Sequence, residues 1–412
     1  MNTPFANMMM SLELNHRFSP YINCNSLLCD SRGRGINQQI LILRMLIEKH
    51  REFGKPLVLC FVDFKKINEV PELISWSKMF QILLNKAVPV DQAILVKKFY
   101  QNGYGIQKPY DPTPVKIKKT VRASDILATN LFDKQAESNL DAIIQNWNGG
   151  ITFNELVLKC IKYETDTAFI AKSEFALANL LKAYEEETLK YGIKIDRSST
   201  KIMIIDRSNA LKRCADLGDY ERVDNMIYLG SVICNSGSCT AEIQRRAAMA
   251  RQEMSNLEKH WKDSTLSYRE KRQQHRELVF PILEFACETW CYKSSDVRLI
   301  DVFEFNCLRR ILNVERPYLR SVASILRELQ VATKLSEVCK QKALSFFGHI
   351  VRDPSRTLER TIMVCRMKKD KRLKGRHPKG WISQISKEKG HKFIWDSIDK
   401  NCAYHWRLAS KI

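Results

Sequence analysis

Pro56-Leu-Val-Leu-Cys-Phe-Val-Asp-Phe64 is the stretch on which the fold turns. It is short, apolar without interruption and rich in β-forming residues, as a strand buried on both faces must be. It ends in an acid, Asp63, so a carboxylate sits at the strand's exit. Upstream, Ile40, Leu43, Leu46 and Ile47 recur at helical spacing from Ile36, and Gly54 then Pro56 stop that helix. Downstream, helices are predicted from Ser75 to Ala87, closed by Pro89, and over Asp91–Gln101, closed by Gly103. Residues 105–120 carry Pro and Lys clusters and read as a loop or ragged hairpin. Ile126–Ile144 reads as helix. Leu156–Tyr163 and Thr167–Ile170 read as two strands around a tight turn carrying Glu164, Thr165 and a second strand-end acid, Asp166. Ser173 caps a helix that runs to Tyr191 and stops at Gly192. Lys201–Ile205 and Tyr228–Ile233 read as further strands. Past Thr240 the chain turns almost wholly helical and basic, which sets a boundary near residue 240.

The fold class is therefore α/β (α+β), followed by an α-helical region. A length of 412 residues predicts two or three folding units, and 44% apolar residues can supply their cores. The net charge is +21, from 67 Lys+Arg against 46 Asp+Glu. Such an excess repels itself in a compact chain and calls for a polyanionic partner. Basic residues occur throughout the second half, which favours nucleic acid over a membrane surface. The 13 cysteines are scattered and odd in number, and neither Cys24 with Cys29 nor Cys287 with Cys291 forms a zinc spacing. They read as reduced core residues of an intracellular protein, nuclear or cytoplasmic. No signal peptide opens the chain and no stretch approaches a membrane span, so no membrane partner is expected.

Asp63 and Asp166 are the residues that fit chemistry. Nucleotidyl transfer needs carboxylates from neighbouring strands to hold two divalent metals, one activating a 3′-hydroxyl and one stabilising pyrophosphate. Mg²⁺, or Mn²⁺ in its place, suits such a site because it binds few carboxylates and keeps positions for phosphate oxygens. Taken alone, two acids roughly a hundred residues apart read better as loop caps. The residues around them change that weighting.

Phe61-Val-Asp-Phe64 followed by Lys66 resembles motif A of LINE-type (non-LTR) retrotransposon reverse transcriptases, which reads FVDFxKAFD. Gly33-Arg-Gly35 and the following helix resemble that family's GRGT segment. Thr120–Phe132, with Val121, Arg122 and Leu127, looks like motif B. Tyr163-Glu-Thr-Asp166 and Thr167–Ala171 look like motif C, usually YADDTxxxA. Gly192–Asp196 and Thr200-Lys-Ile-Met203 resemble motif D, and Tyr228-Leu-Gly-Ser231 resembles the hairpin motif YLGS. Val279-Phe-Pro281, Cys287-Glu-Thr-Trp290, Cys307-Leu-Arg-Arg-Ile311 and Phe347-Gly-His349 are similar to thumb and C-terminal signatures, and Lys371–Trp381 looks like the basic GRPxxRW box. The matches run in order over about residues 33–385, and the look is nearest to RTE-like elements.

The resemblance implies a right-hand polymerase palm with partial fingers, an α-helical thumb, and RNA-directed DNA polymerase ancestry. It divides the chain into an irregular segment at 1–34, fingers and palm at 35–240, thumb and connection at 241–365 and a basic segment at 366–412. It implies Asp63 and Asp166 as catalytic carboxylates, with the Phe64 backbone assisting at the metal. Arg122, Asn68 and Lys201 fall at nucleotide-binding positions. The implied partners are an RNA template, an RNA/DNA or DNA primer duplex and dNTP.

Departures fall on the chemistry. The first acid of motif C, the main metal ligand beside motif A, is Thr165 here, and a neutral Thr does not replace a carboxylate at a dication. Neighbouring Glu164 points to the other face on a regular strand. The Gln-Gly pair of motif B is Ala123-Ser124, and Ser restores a Cβ where the backbone approaches template and nucleotide. The aromatic that screens out the ribose 2′-hydroxyl is Asn68, and the motif D lysine falls on Ser199. Little or no polymerase activity is expected, with weak Mn²⁺-dependent activity as the fall-back. Residues 1–32 leave no room for the endonuclease such elements carry, so target-primed insertion by this chain alone is not expected. The alternative is a non-catalytic nucleic-acid-binding remnant or a decayed element fragment.

Two sets of basic residues complete the reading. The run Lys368–Lys379 includes Lys371, Arg372, Lys374, Arg376 and Lys379, and is expected to meet phosphates without sequence readout. Arg245, Arg246, Arg251 and Lys259 are expected to line a primer-template groove. Trp290 and Trp381 are expected as core anchors, Cys287 as a packed thiol and His349 as a core or capping residue.

Overall fold

The computed structural model describes residues 35–63, 88–101, 104–108, 111–116, 146–153, 156–163, 166–189, 195–208, 211–262, 266–314, 320–352, 357–364 and 380–389, with single positions at 80, 83, 84, 143 and 144. Its elements run α1 (Ile36–Phe53), β1 (Leu57–Val62), α2 (Val90–Gln101), β2 (Tyr104–Lys108), β3 (Asp111–Lys116), β4 (Ile151–Phe153), β5 (Leu156–Leu158), β6 (Cys160–Tyr163), β7 (Asp166–Ala171) and α3 (Glu174–Leu189). They continue with β8 (Lys201–Ile205), β9 (Glu221–Arg222), β10 (Asn225–Tyr228), β11 (Ser231–Cys234), α4 (Thr240–Lys262), α5 (Tyr268–Gln274), α6 (Phe280–Glu284), α7 (Ser294–Ile311), α8 (Val322–Glu328), α9 (Leu335–Arg352), α10 (Thr357–Val364) and α11 (Trp381–Lys389). The class is mixed α/β, with a helix-rich second half. No helix among the described residues is long and apolar enough to cross a membrane.

The chain folds as two compact units. The first gathers residues 56–204 and 209–223 around a five-stranded sheet of order β6-β7-β1-β8-β9. β1 lies third in that order and every one of its residues is buried, as the apolar run predicts. β1 pairs antiparallel with β7 and β7 pairs antiparallel with β6, whereas β8 and β9 run parallel. Val58, Cys60 and Val62 share one core with Leu177, Leu180, Leu181 and Tyr184 of α3. The Ser173 hydroxyl accepts the Ala176 N–H at 3.2 Å and starts α3 where the sequence expects a cap. Phe169 meets Tyr184 edge-on at 5.2 Å between ring centroids. β2 and β3 pair as a hairpin that is irregular between Ile106 and Lys108, as a ragged hairpin would be; residues 117–120 of the expected stretch lie outside the described residues.

The second unit gathers residues 35–55, 205–208 and 224–412. Compactness thus divides the chain differently from composition: helix α1 and the β10–β11 hairpin cluster with the helices beyond residue 240. Tyr228–Ile233 is not one strand. Leu229 and Gly230, at φ 48° and 75°, form a tight turn between β10 and β11. Two successive positive φ values match the right-handed twist of the flanking strands. Arg44 of α1 donates to the Ser231 hydroxyl at 2.9 Å and the Val232 carbonyl at 3.2 Å, and so ties the hairpin to the helix. α5 passes through a π turn at His275–Val279 into α6. Pro281 accounts for the bulge, since it has no N–H to donate to Glu277 and its ring crowds that carbonyl. Trp290 and Trp381 are fully buried, as expected of anchors. Cys287 is also buried, and the Cys339 thiol beside it, together with burial, pushes its own thiol pKa far up. His349 is exposed in the last turn of α9, so of the two expected roles the core one falls away and a place at the helix end remains.

Glu48 of α1 accepts the Trp381 N–H at 2.9 Å and caps α11 from outside. A Cβ at Gly380 would collide with the Glu48 carboxylate. Gly380→Ala is therefore expected to displace this cap and lower stability by about 1–2 kcal/mol in chemical denaturation.

Three buried groups of this unit make stability depend on pH. Burial raises the Glu48 carboxyl to about 7, against the opposing pull of the Trp381 hydrogen bond. Burial lowers His50 to about 4, although its Nδ1–H donates to the Leu46 carbonyl, and lowers His275 to about 4 with help from the Arg272 charge. The histidines stabilise fully above about 6.5 and lose that contribution as pH falls through 4; Glu48 stabilises fully below about 4.5 and loses it as pH rises through 7. Between those limits the unfolded chain holds about two more protons on the histidines and about one fewer on Glu48. Stability is expected to rise between pH 4.5 and 6.5, and Glu48→Gln to make the rise about twice as steep. Unfolding followed across that pH range checks both.

Candidate active site

The site is built from the exit of β1 and the entry of its antiparallel neighbour β7. In the β1–β7 register Leu59 faces Ile170, Phe61 faces Ala168 and Val62 faces Thr167. Continued one step past its last pair, this register would set Asp63 opposite Asp166, which opens β7 and pairs with Tyr163 of β6. Side chains alternate along a strand. Val58, Cys60 and Val62 point to α3, so Asp63 and Asp166 both belong to the opposite face. Cross-strand neighbours on one face have Cβ atoms about 5 Å apart. Both acids are exposed at the strand ends.

The backbone of Asp63 is pinned from the other side. Its carbonyl accepts the Asp196 N–H at 2.9 Å, and its N–H donates to the Thr200 hydroxyl at 3.2 Å. Thr200 is fully buried. Asp196 in turn accepts the Ser198 N–H at 3.0 Å and Ser198 hydroxyl at 2.7 Å through Oδ1, and its carbonyl accepts the Thr200 N–H at 2.9 Å. This turn fixes where β1 ends. The role of Thr200 was not legible in sequence, because a hydroxyl within a strand-entry turn carries no pattern of its own.

Lys201 follows that turn. Its ammonium lies 2.5 Å from Glu221 and 2.6 Å from the Ser198 carbonyl. It holds β8 to β9, and any nucleotide would compete with Glu221 for it. Phe64, Asn68, Arg122, Glu164, Thr165 and the basic run with Lys371, Arg372, Lys374, Arg376 and Lys379 lie outside the described residues.

The basic residues of α4 divide. Arg246 does not face a groove: it is 7% exposed, donates to Glu242 at 2.7 Å and to the Gly230 carbonyl, and stacks over Phe285 at 4.1 Å. It is an internal brace between α4 and the hairpin turn. Arg245 supports the same turn, donating to Gly230 at 3.3 Å, and is half-buried. Arg251 is exposed, with its guanidinium 5.9 Å from the Phe303 ring centroid. Lys259 is exposed as well. Spacing on a helix does not distinguish a solvent-facing arginine from one bent back onto a neighbouring turn.

No family model matches the chain, and no curated protein matches it. Among solved structures it is similar to telomerase from Candida albicans bound to a TWJ fragment of telomeric RNA, at 10% identity and TM-score 0.44, over 80% of this chain and 56% of that one. It is also similar to apo telomerase from Candida tropicalis, at 11% identity and TM-score 0.40, over 88% and 60%. The Candida tropicalis enzyme bound to a TWJ fragment gives 10% identity and TM-score 0.39, over 88% and 57%. The chain spans somewhat over half the length of these neighbours. Likeness of this degree assigns no function.

Arg246→Met is expected to destabilise the protein by about 1–3 kcal/mol, because buried Glu242 loses its 2.7 Å partner and keeps only the Val232 N–H at 2.8 Å and the Arg245 guanidinium at 3.6 Å. Nucleic-acid affinity of the folded fraction should stay unchanged in a filter-binding titration.

Proposed function

We propose that this chain is a reverse-transcriptase-like protein derived from a non-LTR, RTE-like retrotransposon, with an impaired nucleotidyl-transfer site. The observation that supports the reading is the β1–β7 pairing, in which the strand that runs up to Asp63 lies beside the strand that Asp166 opens. Segments roughly a hundred residues apart are thereby neighbours in one sheet, which supports the reading. In this reading the sheet is the palm, the helices beyond the hairpin form the thumb, and the partners are an RNA template with its primer.

Asp63 and Asp166 supply hard oxygen donors, and the Phe64 carbonyl is assigned beside them. That set suits one Mg²⁺ or Mn²⁺ and falls short of two, since Thr165 brings no carboxylate. A bound dication would supply charge stabilisation at phosphate oxygens. The protein's own part would be to hold the two acids together, and the hydrogen bonds of the Asp196–Thr200 turn to the Asp63 backbone support that role. Arg122 is assigned to nucleotide phosphate. Asn68 leaves the ribose 2′-hydroxyl unscreened, and Lys201 is assigned to the nucleotide in competition with Glu221. The surplus of positive charge supports binding of template and primer even where synthesis fails.

Primer extension on poly(rA)·oligo(dT), with Mg²⁺ and with Mn²⁺, tests the reading. The wild-type chain is expected to bind the duplex and extend it weakly or not at all. Thr165→Asp is expected to raise extension by at least about tenfold, the scale of one metal-bound carboxylate, and Asp63→Ala to abolish what it gains. Vigorous wild-type extension lost in Asp63→Ala would overturn the impairment. Extension unmoved by either change would remove the assignment of these acids, and absence of duplex binding would leave a decayed fragment.

A further inference from the structure

A cleft of about 500 Å³ opens in the helical unit between α4 and α7. Arg251 and Ser255 line it from α4; Phe303, Asn306, Cys307, Arg309 and Arg310 line it from α7, and Val314 closes one end. Three arginines thus line one concavity. We propose that this cleft is a phosphate-binding site that takes the sugar–phosphate backbone of a single nucleic-acid strand.

Each arginine is held in place by the fold. Arg251 lies over the Phe303 ring. Arg309 donates to the Val314 carbonyl at 3.4 Å. Arg310 pairs with Glu258 at 2.9 Å and reaches the Ser255 hydroxyl at 3.5 Å. A guanidinium has five N–H donors, and these contacts use a minority of them. Charge is left over as well. Among the described residues Glu258 pairs with Arg310, and no carboxylate forms an ion pair with Arg251 or Arg309. Planar, pre-positioned guanidiniums suit phosphate oxygens, which accept two parallel N–H bonds from one fork.

The rest of the lining limits the ligand. Cys307 is buried, and burial pushes its thiol up to about 12, so it adds no negative charge at neutral pH. Ser255 and Asn306 supply neutral polar groups of the kind that contact sugar hydroxyls and phosphate. The volume falls within the roughly 300–1,000 Å³ of ligand pockets, which suits a phosphate carrying its nucleoside better than a bare anion. The shared chemistry is the phosphoryl oxygen. It comes from a nucleic-acid backbone or from a free polyphosphate, and the two are separable by experiment. The proposal stands on the helical unit alone and does not depend on Asp63 or Asp166, so primer extension can fail while this cleft binds, or the reverse.

The test uses the full chain and two probes: a 15-nucleotide single-stranded RNA with a fluorescent label, read by anisotropy, and tripolyphosphate, read by calorimetry. Arg251→Gln/Arg309→Gln is compared with Arg269→Gln/Arg327→Gln, which removes the same charge from exposed positions off the cleft. The cleft variant is expected to weaken RNA binding at least about tenfold and to flatten the plot of log K against log salt by about 1.4, the slope of two phosphate contacts on a single strand. The control pair is expected to move affinity less than about twofold. Arg251→Lys/Arg309→Lys is expected to recover the salt slope, and Arg309→Gln alone reports on the site should the double variant fold poorly. Parallel loss of tripolyphosphate binding supports recognition of phosphate oxygens whatever carries them, and loss of RNA alone supports the backbone. Equal effects of cleft and control variants, loss confined to tripolyphosphate, or no RNA binding by the wild type each overturn the proposal.

Discussion

The antiparallel pairing of β1 with β7 is the constraint on which the site depends. Five residues of β1, Val58 to Val62, face Ala171 to Thr167. Because side chains alternate, this register decides three things at once. It sends Val58, Cys60 and Val62 against α3, buries Leu57, Leu59 and Phe61 on the other face, and carries Asp63 to the position opposite Asp166. A slip by one residue would put both apolar sets on the wrong faces. The carboxylates are therefore placed by hydrophobic burial that has no chemistry of its own, and the Asp196–Thr200 turn adds only the end-stop.

The helical unit is organised differently. Its apolar core runs from Ile243 and Met254 through Trp290 and Phe303 to Leu335, but several of its joints are polar. Arg246 and Glu242 tie α4 to the hairpin turn, Glu48 caps α11, and Glu304 accepts the Leu335 N–H that begins α9. Groups left without partners in such places would cost more than the bonds return. The same economy separates the arginines by role. Those with a carboxylate and a carbonyl in reach belong to the fold, and those held only by a ring face or one carbonyl keep donors for a partner. A basic helix can thus serve both as scaffold and as binding surface.

Much of the architecture could be read along the chain. The helix ending at Gly54, the buried strand after Pro56, the Ser173 cap and the helical second half are local patterns of hydrophobic spacing and capping, which neighbouring residues encode directly. The hairpin at Tyr228–Cys234 was legible through its resemblance and not through its pattern, since Leu229 at positive φ gives no residue-type signal. Arg246 was misplaced for a related reason: its partner carbonyl lies sixteen positions upstream, across a turn. The cleft of Arg251, Arg309 and Arg310 was not legible, although the pair Arg309-Arg310 stood in view. Whether two helices separated along the chain bring their arginines to one space is a question of packing.

The sequence by itself determined the two acids, the neutral Thr165 beside one of them and the excess positive charge, because identity and charge are properties of residues in isolation. Tertiary structure alone decided which acids become neighbours, which arginines are consumed inside the fold and where the remaining ones converge. Those outcomes rest on register and on burial, and both are set by contacts between segments that the chain keeps far apart.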